Sequence, residues 1–146
     1  MLLLAPRLWF WAAVVRSLKH IVPLRTLIRL LHRSPSAVAN PGRVHGALES
    51  YVRQTGRLPR RAPANCLERS LGAYRLLCRA GAAPSIVVGV RRGDGTRVDG
   101  HVWVVVDGRP LGEDETFLAG FRRVLAFDAS GQQVPGCLDT VPAGSH

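Results

Sequence analysis

Lysine is almost missing from this chain: of 20 basic residues, Lys19 is the one that is not arginine. Acidic residues number only 10, which leaves a formal net charge of +10 over 146 residues. An arginine bias beside abundant alanine and valine is what a GC-rich genome produces. The charge therefore reads as a generally basic surface and not as a dedicated nucleic-acid site. It favours acidic peptides, protein partners or anionic lipid over basic ones. Cysteine is scarce too. Cys66, Cys78 and Cys137 are odd in number and irregular in spacing, which excludes a disulfide framework and paired metal-ligand spacing. A reducing compartment fits better.

Long apolar runs are also lacking. The longest uncharged stretch after Arg7 runs from Leu8 to Val15, far short of the ~20 residues a membrane span needs. Met1 to Ala5 carry no basic side chain and Arg16 follows the apolar run, so the pattern of a secretory signal is absent and a cytoplasmic protein is expected. The turn Gly93-Asp94-Gly95 lacks the Lys-Ser/Thr of a phosphate loop, and no dinucleotide fingerprint occurs. No cofactor is implied, and ATP use by this chain is not expected. No internal repeat is visible. What remains is a chain 47% hydrophobic, enough for one domain with a modest core.

The order of elements is legible in the periodicity. Residues 1–33 read as two helices broken near Pro23. Basic residues recur among the apolar ones there (Arg16, Lys19, Arg25, Arg29, Arg33), which suits helices packing on the core or a partner, with peripheral membrane contact as the other use. Residues 34–42 are a linker by composition, with Asn40 as a cap and Pro41 as the first residue of the next helix. Val44, Leu48, Tyr51 and Val52 share a face of that helix, and Gly56 sits where its C-cap belongs. A second strong helical period starts at Cys66 and stops at Gly81 and Pro84. Then the pattern turns β-branched: strands at 85–91 and 98–106, an Asp107-Gly108 hairpin, and a return strand at 109–114. The stretch 115–128 reads as a helix followed by a short strand. The expected division is an N-terminal helical segment at 1–40, a core at 41–130 and a flexible tail at 131–146. Helices followed by an antiparallel sheet make an α+β fold and argue against a doubly wound one.

Cys66 stands at a helix start, where the dipole and unpaired N–H groups favour a thiolate and can hold an oxyanion. A nucleophilic cysteine needs a base. His20, His32, His45 and His146 lie in basic helices or at the chain end. His101 sits in a strand with no apolar reason for it, 35 residues after Cys66. The hairpin then offers an acid to orient the imidazole. A two-residue turn sets His101 opposite Asp114, and a three-residue loop sets it opposite Glu113. The candidates are thus Cys66, His101 and either Glu113 or Asp114, the constellation of a thiol peptidase or acyltransferase. Trp103 lies on the same strand face as His101 and reads foremost as a core aromatic.

Taken together, "NCLERSLGAYRLLCRAG", "SIVVGVR" and "GHVWVVVDGRPLGE" resemble the transglutaminase-like cysteine peptidases of lasso-peptide biosynthesis. "FRRVLAF" and "VPLRTLIRLL" extend the likeness over most of the chain. The resemblance implies a transglutaminase-like, papain-like core and a triad of Cys66, His101 and an acid about twelve residues on, which is Glu113 by spacing and Asp114 by residue type. It implies that the substrate is a lasso precursor peptide whose leader is removed, and that a separate cyclase then closes the ring. It also implies a small winged-helix-like, leader-binding recognition protein acting in trans. Val102 and Val105 depart from the Ala and Glu usual in the family, at positions that are not catalytic. Two other readings compete: an acyltransferase on the same triad, and a non-catalytic basic scaffold or membrane-surface module.

Overall fold

The computed structural model describes residues 22–31, 41–57 and 66–135. The expected helix before Pro23, the linker, the Asn40 cap, Cys137 and residues 136–146 lie outside the described residues. So do His20, His32 and His146.

Helix α1 (Leu24–Leu31) starts directly after Pro23, whose carbonyl accepts from Thr26 N and Leu27 N at 2.9 and 3.0 Å. Leu27, Ile28 and Leu31 form its buried face, and Arg25 and Arg29 point outward. Helix α2 (Pro41–Arg57) has proline as its first residue, where a missing N–H costs nothing. It buries Ala47 and Tyr51. Gly56 does not end it: the helix runs through to Arg57. Among the described residues no helix is long and apolar enough to cross a membrane.

Helix α3 (Cys66–Arg79) is the central element, with Leu71, Ala73, Tyr74, Leu77 and Cys78 in the core. It closes in a Schellman motif: Ala82 N reaches Leu77 O and Gly81 N reaches Cys78 O, with Gly81 at φ 84.

Four antiparallel strands follow: β1 (Ser85–Arg92), β2 (Val98–Val106), β3 (Arg109–Pro110) and β4 (Arg122–Phe127), in the order β3-β2-β1-β4. A four-residue helix, α4 (Glu115–Leu118), separates β3 from β4. This is the α+β arrangement expected from the sequence. One sheet face packs Ile86, Val102, Val104, Val106 and Phe127 against the helices. The other packs Val87, Trp103 and Ala126 against Leu118 and Phe121. Alternation along β2 assigns each residue its face.

Two expectations need correction. The return strand is two residues long, not six: after Pro110 only Leu111 N continues the ladder, to Val104 O, before Gly112 turns the chain at φ 67. And the expected tail is structured where it is described. Asp128 Oδ1 accepts from Ser130 N and Gln132 N, Gln133 bridges to Phe127, and Val134 N bonds Ala126 O, so residues 128–134 fold back along β4.

Gly89 is the partner of His101 across the sheet, and the Trp103 ring lies over it. A Cβ at position 89 would sit 2.8 Å from two atoms of that ring. Gly89→Ala is therefore expected to destabilise by about 1–3 kcal/mol through overpacking. Gly100→Ala, on the same hairpin with nothing within 4 Å, is expected to stay within about 0.5 kcal/mol. Denaturant melts of the two variants check this.

Candidate active site

The edge of β2 that faces β3 is where the site forms. Val104 offers its carbonyl to Leu111 there, and Val102, two residues back, presents its backbone to the same edge. Because β3 has already ended, that backbone is met by α3 instead. Ser70 Oγ donates to Val102 O at 2.8 Å in a buried setting. One turn earlier, the Cys66 thiol sits at the helix start beside the Val102 backbone and the His101 ring.

Cys66 is half-buried. Burial pushes its thiol pKa up. The hydrogen bond with His101, those with the Val102 and Leu67 backbone, and the His101 charge more than offset this, and the net shift is downward. His101 moves the opposite way, up to about 9. Contact with Cys66 contributes most, Glu113 next, and burial opposes both. A thiol lowered and an imidazole raised by each other favour a thiolate–imidazolium pair that titrates as a unit.

Glu113 Oε1 lies 3.3 Å from His101 Nε2, with both side chains mostly buried. The contact is an ion pair without the alignment of a hydrogen bond. Asp114 does something else. Its Oδ1 accepts from Thr116 N at 2.8 Å and caps α4. The turn is the two-residue form, with Val106 opposite Arg109 and left-handed Asp107 and Gly108. An extended ladder in that register would have set Asp114 against His101. The ladder stops after Leu111, the bend at Gly112 redirects the chain, and Glu113 arrives instead.

Three aromatic rings pack against the imidazole. Trp103 stacks on it at 6.0 Å, while Phe117 and Phe121 approach at 5.4 Å. Trp103 is both the buried core aromatic expected of it and a wall of the site. Arg91 lies over Phe117 and Phe121 at 5.3 and 4.7 Å from the ring centroids. Phe117, Phe121 and Arg69, which contacts Glu113, are not in the sequence-based set. Arg69 stands three residues after Cys66, hence on the same helix face, a spacing that points to it. For the phenylalanines no comparable signal exists, because α4 is too short to show a period.

Of the remaining candidates, Cys78 is buried and its thiol is pushed up to about 11 by burial, as suits a core residue. His45 is an exposed partner of Glu49 at 3.2 Å on α2.

The two opposed shifts fix the pH behaviour of the pair. The thiolate absorbance of Cys66 near 240 nm is expected to develop below the range of an ordinary thiol. It is expected to persist above pH 9, where His101 loses its proton and only the acid function goes. Spectrophotometric titration against Cys66→Ala checks this, and a midpoint in the ordinary thiol range would refute the pairing.

A family model of the transglutaminase-like superfamily matches residues 8–126. No curated protein and no solved structure matches the chain. The superfamily holds cysteine peptidases and acyltransferases, typically with cysteine-based catalysis. The matched span covers α1 through most of β4, and on that ground the chain belongs to the transglutaminase-like superfamily.

Proposed function

We propose that this protein is a cysteine peptidase that removes the leader from a ribosomally made lasso precursor peptide, before a separate cyclase closes the ring. The observation that carries the reading is Cys66 at the start of α3 beside His101, with Glu113 3.3 Å from Nε2 of the same ring. The superfamily supports cysteine chemistry. The likeness of the Cys66 helix, β1 and the β2–β3 hairpin to the lasso leader peptidases supports the substrate class.

Glu113 occupies Nε2, which leaves Nδ1 for the sulfur. The resting pair is thiolate and imidazolium. The thiolate attacks the scissile carbonyl at the leader–core junction. Backbone N–H groups at the start of α3, that of Cys66 among them, hold the developing oxyanion. As the tetrahedral intermediate collapses, His101 gives its proton to the leaving amine of the core peptide, and the leader stays as a thioester on Cys66. Neutral His101 then takes a proton from water. The hydroxide attacks the thioester, the leader leaves with a carboxylate, and the thiolate–imidazolium pair is restored. Glu113 orients the ring and balances the imidazolium throughout. A recognition protein in trans presents the leader, and the cyclase takes the freed amine.

The test is mass spectrometry of a lasso precursor incubated with its recognition protein and this chain. Loss of the leader mass is expected with wild type and not with Cys66→Ala. Equal cleavage by Cys66→Ala would remove Cys66 from the mechanism, and a leader joined to an amine would point to acyl transfer in place of hydrolysis. Between the two neighbouring acids, Glu113→Gln is expected to lower kcat by roughly 10²-fold. Asp114→Asn, which caps a helix about as well, is expected to stay within about twofold.

A further inference from the structure

Glu113 sits on a short irregular segment between the last ladder bond, Leu111 N to Val104 O, and the Asp114 cap of α4. Its only contact with the imidazole is the unaligned 3.3 Å approach to Nε2. Such a contact does not by itself hold a carboxylate in one rotamer. The same Oε1 accepts a hydrogen bond from Arg69 NH2 at 3.5 Å. Arg69 rises from α3, three residues after Cys66. Its Nε is sealed from solvent and meets no hydrogen-bond partner among the described residues, while the side chain as a whole is 30% exposed. Tyr51 of α2 lies within electrostatic reach of both charges, its hydroxyl pushed up to about 12, chiefly by burial, and so kept neutral.

We propose that Arg69 is a positioning residue that ties the Glu113 carboxylate to the helix bearing Cys66 and so keeps it aimed at His101. The nucleophile and the acid are then both tied to α3, although they come from segments 47 residues apart. Arg69 acts through Glu113 and touches no reacting atom. Its planar fork suits this better than a lysine ammonium would.

The proposal rests on the thiolate–imidazolium reading above, and its test needs no peptide substrate. The rate of iodoacetamide alkylation is followed against pH on the Cys66-containing peptide by mass spectrometry, with melting temperature measured in parallel. In Arg69→Gln the midpoint of alkylation is expected to rise by about one pH unit, because Glu113 no longer supports the imidazolium that stabilises the thiolate. Arg69→Lys is expected to fall between Arg69→Gln and wild type, and it carries the test should Arg69→Gln not fold. Glu113→Gln is expected to shift the midpoint in the same direction, and Arg69→Gln added to it to shift it no further. A purely structural arginine would lower the melting temperature without moving the midpoint, and that outcome overturns the proposal. So does a downward shift, which would mean that Arg69 competes with His101 for Oε1, and so does a full additional shift in the double variant. A wild-type midpoint in the ordinary thiol range would overturn the peptidase reading itself. A depressed wild-type midpoint that Arg69→Gln leaves in place refutes the role of Arg69 alone.

Discussion

The site depends on one buried hydrogen bond, from Ser70 Oγ to the carbonyl of Val102. It joins the helix that carries Cys66 to the strand that carries His101, one turn from the first residue and one position from the second. A thiol and an imidazole in contact must be placed within a few tenths of an ångström, and side-chain packing alone does not fix a helix against a strand edge that finely. A directional bond between two buried groups does, because breaking it strands a carbonyl without water. The grip continues along the helix. Tyr74 Oη donates to Asp128 O at 2.7 Å, so α3 is pinned to β2 near its start and to the end of β4 near its middle. Between these points Leu71 and Ala73, and just beyond them Leu77, fill the core. Burial supplies the stability, and the two hydrogen bonds supply the register.

The shortness of β3 follows from the same constraint. Had the hairpin run to residue 114 as its alternation suggests, the edge of β2 at Val102 would have been paired with another strand. There would have been no free carbonyl for Ser70 and no room for the start of α3 beside His101. The ladder makes its last bond at Leu111 N, and Gly112 at φ 67 turns the chain away. That same bend presents Glu113 to His101 and leaves Asp114 to cap α4. Two adjacent acids thus acquire different tasks through one change of backbone direction. Helix α4, once capped, brings Phe117 and Leu118 over the second face of the sheet, with Phe121 just beyond it. The Phe117 and Phe121 rings pack against His101 there.

This explains which parts of the protein were legible in its sequence. The bounds of α3 and β2 follow from residue pattern alone: a Schellman glycine ends one and an Asp-Gly hairpin ends the other. Cys66 and His101 were legible for a related reason, since each is an outlier in its element, a thiol at a helix start and a titratable ring in a β-branched strand. The choice between Glu113 and Asp114 was not. It turns on where a ladder stops, and pairing rules describe a ladder only while it continues. The Asp128 turn escaped notice because its Ser, Gly and Gln composition is also that of an unstructured tail; what orders it is the Asp128 carboxylate accepting from two backbone N–H groups. The aromatic rings around His101 come from positions 103, 117 and 121, and only the first shares its strand.

Charge balance accounts for the rest of the arrangement. A thiolate and an imidazolium brought together out of water pay for desolvation, and their mutual attraction repays it only with further polar support. On the thiolate side that support is the start of α3 and the Val102 and Leu67 backbone. On the imidazolium side it is Glu113, and behind Glu113 stands Arg69. In the thiolate–imidazolium form the charges alternate in sign from sulfur to imidazole to carboxylate to guanidinium, and each has an opposite neighbour. The chain of charges begins on α3 at Cys66 and ends on α3 at Arg69, a closed circuit across the β2 edge. His101 and Glu113 are mostly buried, while Arg69 keeps 30% of its side chain exposed and Cys66 is half-buried, so the two middle groups of the circuit are the ones best shielded from water.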